Sequence, residues 1–130
     1  MQIFSKTDRG RVRTDNQDAY FAGKITDDSV FAVVCDGMGG ANAGNVASEL
    51  AVRHISEYVI RSYRDGMDMT DTEKTLKNAI VSANISLYDK AVNNAELAGM
   101  GTTAVAAFVK DGTAVIAHVG DSRIYLVNGE

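Results

Sequence analysis

Residues 29–40 read SVFAVVCDGMGG, an apolar run that ends in a carboxylate and a cluster of glycines. The first seven residues are nearly all apolar and rich in valine, which predicts a strand covered on both faces. Asp36 comes at the end of this strand, and three of the four residues after it are glycine. Glycine permits tight turns and the close approach of the main chain to another group. The stretch alone leaves open whether Asp36 faces a turn, a metal ion or a phosphate.

Two helices are predicted after this strand. Between residues 41 and 64 the apolar residues recur with a helical period, and Gly66 favours an end to the helix. A second helix begins with TDTE, a capping-box pattern that predicts Thr70 at the N-cap and Glu73 three residues later. The predicted apolar faces are Val46, Leu50, Ala51, His54, Ile55, Tyr58 and Val59 in the first helix and Leu76, Ala79, Ile80, Ala83, Leu87 and Ala91 in the second.

Short strands are predicted on both sides of the helix pair. Residues 2–7 and 18–23 precede it, and residues 102–110, 113–120 and 123–127 follow it. Asp111-Gly112 is a strong hairpin signal between two of the later strands. This order of strands, two helices and strands predicts an α+β arrangement, in which helices pack on an antiparallel sheet.

Another hairpin turn is predicted at Asn128-Gly129, but only Glu130 follows it. The strand over 123–127 would then present an unpaired edge, which natural domains normally avoid or cover. We therefore expect the chain to be truncated or completed by another polypeptide, and the edge makes pairing between copies a further possibility. The alternative is a frayed terminus that forms no turn.

Composition limits the classes of function. The chain has 130 residues, 45% of them hydrophobic, and a net charge of −4, which argues against nucleic acid as the main ligand. The N-terminus lacks the apolar segment of a signal peptide, and no stretch has the length of a membrane span. Cys35 is the single cysteine and lies in an apolar strand, so a buried, inert thiol is expected. These features predict a cytoplasmic protein.

Polar residues concentrate in three stretches at predicted strand ends: 8–18, 36–40 and 120–123. Each alone is typical of a turn, and a plain α+β domain with turn-forming aspartates is one interpretation. If the strand ends meet, however, Asp18, Asp36 and Asp121 converge beside Arg13. Clustered carboxylates repel one another unless a cation intervenes, and oxygen ligands suit Mg²⁺ or Mn²⁺. Because an arginine can hold a phosphate through two hydrogen bonds, the set indicates metal-assisted phosphoester hydrolysis.

Four segments resemble a known family in order and spacing: 5–18, 31–40, 99–109 and 114–129. The chain is similar to the N-terminal part of the bacterial type 2C Ser/Thr protein phosphatases, the metal-dependent PPM family. The resemblance implies a β-sandwich of two antiparallel sheets, flanked by antiparallel helix pairs in four αββα layers. Residues 1–130 would be an incomplete half of that single phosphatase domain, with one long helix pair.

The resemblance also implies a role for each candidate residue. Asp36 resembles the carboxylate that bridges two Mn²⁺ or Mg²⁺ ions, and Gly37 the ligand that contributes its carbonyl. Arg13 resembles the phosphate-binding arginine, and Asp18 the acid that orients the metal-bound water. Asp121 resembles the ligand of a third, weaker metal. Segments 101–103 and 122–123 resemble structural positions of the family.

This sequence departs from the family pattern at several points. Met38 stands where many eukaryotic members have histidine, and Gln17 where many members have glutamate. Neither His54, on a helix's apolar side, nor His118, within a strand, replaces the missing acid, so both are interpreted as structural. The family's later half supplies two further aspartates, so we expect this chain by itself to be nearly inactive.

The resemblance implies that the intact protein hydrolyses phosphoserine and phosphothreonine in proteins and opposes bacterial Ser/Thr kinases. Phosphorylated proteins are the expected partners, with no nucleic acid and no membrane. The basic loop containing Arg9 and Arg11 suggests a preference for phosphorylated or acidic segments. The alternative is a non-catalytic, phosphatase-like module that binds a phosphoprotein or assembles with a partner chain.

Overall fold

A computed structural model describes residues 1–40 and 42–129. Its strands are β1 (Asp18–Thr26), β2 (Ser29–Met38), β3 (Gly101–Thr102), β4 (Ala104–Lys110) and β5 (Thr113–Val119). The helices are α1 (Ala43–Ser62) and α2 (Met69–Asn93), and a short 3₁₀ turn covers Ala95–Leu97. The strands form one antiparallel sheet in the order β1-β2-β4-β5, with β3 also paired to β2.

One face of the sheet carries the hydrophobic core. Alternate residues of β2 (Phe31, Val33 and Cys35) are fully buried and belong to the same core cluster as residues of α1 and α2. Their partners across the β2–β4 ladder lie on the same face, since Phe31 pairs with Phe108 and Val33 with Ala106. Strand β2 is therefore central, and its last residues reach the end of the sheet where the candidate site lies.

The two helices pack on that face as an antiparallel pair. The residues of their predicted apolar faces are buried or half-buried, and Ala47 and Val52 of α1, which the prediction omitted, are buried as well. Ile55 of α1 and Leu76 of α2 are each 1% exposed. The Nε2 atom of His54 lies 2.9 Å from the Ser82 hydroxyl, so this half-buried histidine joins the helices. This contact accords with a structural interpretation of His54.

The predicted α+β class, with a helix pair on an antiparallel sheet, is confirmed, but two predicted strands are wrong. Residues 2–7 and 123–127 do not form strands, and Phe4 and Leu126 are 89% and 91% exposed. A strand needs a neighbouring strand to accept its backbone hydrogen bonds, and neither segment pairs with one among the described residues. The predicted hairpin turn at Asn128-Gly129 is also wrong, because no strand flanks it among the described residues. Glu130 lies outside the described residues. The edges of the sheet are therefore β1 and β5.

The predicted cap of the second helix is also wrong. Asp68, in an extended conformation, is the N-cap, and its Oδ1 accepts a hydrogen bond of 2.8 Å from the backbone of Asp71. Thr70 lies within the first turn. Both residue types favour an N-cap, so the backbone conformation at Asp68 decides between them. The first helix begins at Ala43 and ends at Ser62, slightly inside the predicted range.

No helix within 1–40 and 42–129 combines the length and hydropathy that a membrane crossing requires.

Candidate metal centre

Asp18 and Asp36 lie opposite one another at the end of the β1–β2 ladder. The next pair outward is joined by a backbone hydrogen bond of 2.9 Å from Gly37 N to Gln17 O. Hydrogen-bonded and non-hydrogen-bonded pairs alternate in an antiparallel ladder, and side chains are closer in the second kind. The Asp18–Asp36 pair is of that second kind, so strand register brings the two carboxylates together.

Gly37 is held in a space that no other residue type fits. A Cβ atom there would lie 2.0 Å from the carbonyl oxygen of Gly44 in α1 and 2.9 Å from that of Gln17. The first turn of α1 thus packs directly on the backbone that follows Asp36. Since Gly44 is itself buried, the close approach is between two glycines on different elements.

Gln17 is a site residue whose role the sequence did not reveal. Its carbonyl accepts the hydrogen bond from Gly37, and its Nε2 donates to the carbonyl of Gly39 at 3.3 Å. Its side-chain amide also lies against Gly44, where an added Cβ would be 2.5 Å away. Gln17 therefore ties the start of β1 to the glycine loop and to α1.

A polar cleft of about 620 Å³ opens beside the two carboxylates. Arg9, Arg13, Asp18, Asp36 and Gly37 are among the residues that line it. The loop that forms one wall is connected to α1, because the side chain of Asn45 donates a 2.8 Å hydrogen bond to Asp15. Four of the five predicted site residues, Arg13, Asp18, Asp36 and Gly37, thus meet at one cleft, whereas Asp121 does not line it.

The electrostatics of the cleft favour a cation. Desolvation raises the pKa of Asp36 above its ordinary 3.8, and the charge of Asp18, a hydrogen bond to Asp18 and the charge of Asp121 raise it further. The positive charge of Arg13 acts to lower the pKa of Asp36. A divalent ion would relieve this repulsion between carboxylates, so the oxygen donors present suit Mg²⁺ or Mn²⁺.

The donor set is nevertheless small. Within residues 1–40 and 42–129, no three His, Cys, Asp or Glu side chains are grouped closely enough to hold a metal ion. Asp36 and Asp18 are two carboxylates, and Asp121 influences Asp36 through its charge. The described residues thus fit a divalent ion as a partial ligand set.

Two residues outside the cleft, His118 and Cys35, carry side chains of types that often take part in catalysis. His118 is exposed and lies opposite Val105 in the β4–β5 ladder, away from the residues that line the cleft. The Cys35 thiol is buried, and desolvation raises its pKa to about 12, which keeps it protonated and unreactive at neutral pH. The predicted inert character of Cys35 agrees with this burial.

Comparison with known proteins gives the family. Residues 7–130 match the family model of protein phosphatase 2C. The chain belongs to the protein phosphatase 2C family. It is 40% identical over 122 residues to the serine/threonine phosphatase stp of Listeria monocytogenes, a match that covers 94% of this chain and 48% of that protein.

Solved structures of relatives share the fold. The serine/threonine phosphatase Stp1 of Staphylococcus aureus superimposes with a TM-score of 0.84 at 39% identity, covering 95% of this chain and 48% of that one. The catalytic domain of the phosphatase PstP, solved in complex with two manganese ions, superimposes with a TM-score of 0.75 at 31% identity. The match covers 91% of this chain and 47% of that one. The chain therefore spans about half the length of the relatives it matches.

Proposed function

We propose that the intact protein is a metal-dependent protein-serine/threonine phosphatase that hydrolyses phosphoserine and phosphothreonine. The observation that carries the proposal is the Asp18–Asp36 pair, set in register beside Arg13 in a polar cleft of a protein phosphatase 2C chain. The manganese ions in the PstP structure support Mn²⁺ as a cofactor, and Mg²⁺ has the same preference for oxygen ligands.

Each predicted site residue has a distinct task in this proposal. Asp36 and the Gly37 carbonyl would hold the divalent ions, and Asp121 would contribute to a third, weaker site. When bound, the ions would supply an activated water and charge stabilisation during phosphoryl transfer. Asp18 would accept a hydrogen bond that orients a water, and the guanidinium of Arg13 would bind the phosphate oxygens.

The expected substrates are phosphorylated proteins, including Ser/Thr kinases and their targets, in a cytoplasmic setting. Arg9 lies in the lining of the cleft, which supports a preference for acidic or phosphorylated segments. The double variant Arg9→Ala with Arg11→Ala tests this preference. We expect a lower kcat/KM on acidic phosphopeptides, and an unchanged value would remove this part of the proposal.

The central test compares variants of the intact protein by Mn²⁺ calorimetry and by phosphate release from a phosphothreonine peptide. We expect Asp36→Asn to weaken Mn²⁺ binding and lower turnover by more than about 100-fold, since it removes a direct ligand rather than an outer contact. Arg13→Ala is expected to raise KM while Mn²⁺ still binds. Asp89→Asn, an exposed position on α2, is the matched control. Unaltered Mn²⁺ affinity in Asp36→Asn would refute the assignment.

We expect the 130-residue chain alone to be nearly inactive, because its described residues supply only a partial ligand set. The same small set supports a second candidate function, a non-catalytic module that binds phosphoproteins. An intact protein that binds the phosphopeptide but releases no phosphate with Mn²⁺ present would favour this second function. Family-typical turnover of p-nitrophenyl phosphate by the chain alone would contradict the first expectation.

A further inference from the structure

The sheet has an irregularity beside Asp36. Strand β3 ends at Thr102 and β4 begins at Ala104, so Thr103 interrupts an otherwise continuous pairing with β2. The backbone of Thr103 donates a hydrogen bond of 2.9 Å to the carbonyl of Asp36. In a regular ladder the Thr103 carbonyl would accept the return bond. Instead the Thr103 hydroxyl accepts it, at 3.0 Å from Asp36 N.

The same hydroxyl reaches the turn that carries Asp121. Thr103 Oγ1 lies 2.6 Å from the hydroxyl of Ser122, the residue after Asp121. Gly120 also packs on Thr103, since a Cβ at Gly120 would lie 2.7 Å from Thr103 Cγ2. Thr103 is 5% exposed, so these contacts are shielded from water. A hydroxyl has one donor and two acceptor sites, which allows it to bond to both partners at once.

We propose that Thr103 is a positioning residue for the metal centre, and that Ser122 is its partner. The Thr103 hydroxyl sets the separation between Asp36 on β2 and Asp121 after β5, two carboxylates that no shared ladder pair holds relative to each other. This inference rests on the proposed function, because the separation matters only if both carboxylates serve metal ions. Thr103 touches neither substrate nor metal in this role.

The decisive variants in the intact protein are Thr103→Val, which keeps the shape but removes the hydroxyl, and Thr103→Ser, which retains it. Thr113→Val, on β5 and outside the cleft, controls for the general effect of this substitution in a strand. We expect Thr103→Val to weaken Mn²⁺ binding by about 10- to 100-fold, as outer-shell substitutions do, and Thr103→Ser to restore affinity to within about 3-fold.

A second measurement needs no metal. Amide hydrogen exchange at Asp36, followed by NMR in the metal-free protein, is expected to accelerate by at least about 10-fold in Thr103→Val, because the Asp36 N–H loses its hydrogen-bond acceptor. Thr103→Ser should exchange like the parent. Ser122→Ala keeps the acceptor, so Asp36 exchange should be unchanged while Mn²⁺ affinity falls.

These outcomes separate the two proposals. If the parent protein binds no Mn²⁺, the proposed function fails, whatever the exchange data show. If the parent binds Mn²⁺ and a folded Thr103→Val binds it equally well, or Thr103→Ser fails to restore binding, the positioning role is overturned. Should Thr103→Val not fold by circular dichroism, Ser122→Ala decides, and undiminished Mn²⁺ affinity in that variant also overturns the role.

Discussion

Replacing Gly37 by alanine tests how the glycine loop is built. The new Cβ would lie 2.0 Å from the Gly44 oxygen and 2.7 Å from its carbonyl carbon. Both contacts are with backbone, so no side-chain rotation relieves them. Restoring an ordinary contact of 3.4 Å requires the first turn of α1 to recede by about 1.4 Å.

The expected loss of stability in Gly37→Ala depends on the residues that α1 contributes to the core. Ala47, Ala51 and Ile55 of this helix are at most 2% exposed, so moving its start disturbs close packing on the sheet. Overpacking a core typically lowers the free energy of unfolding by about 1–3 kcal/mol. A backbone clash belongs at the upper end of this range, so we expect Gly37→Ala to lower it by about 3 kcal/mol. The matched control is Gly40→Ala in the same loop, where an added Cβ meets nothing within 4 Å. We expect Gly40→Ala to change the free energy of unfolding by at most about 0.5 kcal/mol.

Urea unfolding of the chain, followed by far-UV circular dichroism, measures both variants. With a slope of about 2 kcal/mol per molar urea, the Gly37→Ala midpoint should fall by about 1.5 M, while the Gly40→Ala midpoint stays within about 0.3 M of the parent. Equal midpoints for Gly37→Ala and Gly40→Ala would show that α1 does not press on Gly37, and the account of the loop would be wrong.

Three further predictions concern other groups. The pKa of Asp36 is raised in the folded chain, so its ionisation opposes folding above about pH 4. Asp36→Asn should therefore stabilise the metal-free chain at pH 7, by a gain that solvent screening of this exposed side chain keeps small. Urea midpoints at pH 7 and pH 3 check this, and an equal gain at pH 3, where the carboxyl is protonated in both states, would contradict it. Asp68→Ala should lower the free energy of unfolding by about 1 kcal/mol through loss of the α2 cap, and Thr70→Ala should lower it by less. If thermal unfolding shows the larger loss for Thr70→Ala, Thr70 is the cap. Iodoacetamide should modify Cys35 at least about 100-fold more slowly than free cysteine at pH 8 until urea unfolds the chain, and rapid labelling of the native chain would exclude burial of the thiol.

Local patterns predicted the main elements well. The valine-rich run before Asp36 became β2, and the helical periods placed Ile55 and Leu76 in the core, because burial of an amphipathic face follows directly from residue spacing. The same local reasoning failed for residues 2–7 and 123–127. Their composition suits a strand, yet a strand forms only when another strand accepts its hydrogen bonds.

Parts of the site escaped prediction because they depend on residues distant in the chain. The sequence presents Gln17 only as a departure from a family pattern, and Thr103 only within a segment of structural positions. Gln17 contacts Gly39, and Thr103 contacts Asp36 and Ser122. These contacts join segments whose proximity cannot be inferred from their spacing in the sequence. A hydroxyl that replaces a ladder carbonyl has no signature in composition or period.

Residue type and spacing alone predicted which residues carry charge at the strand ends, which faces of β2, α1 and α2 are apolar, and which family the motifs resemble. Those properties are local, since they depend on residue type and on spacing of two or about 3.6 residues. The folded structure was needed to show that Asp18 lies opposite Asp36, that Gly37 packs against Gly44, and that Thr103 joins Asp36 to the turn containing Asp121. Strand register and helix packing set these contacts, because they establish which distant segments come within reach of a hydrogen bond.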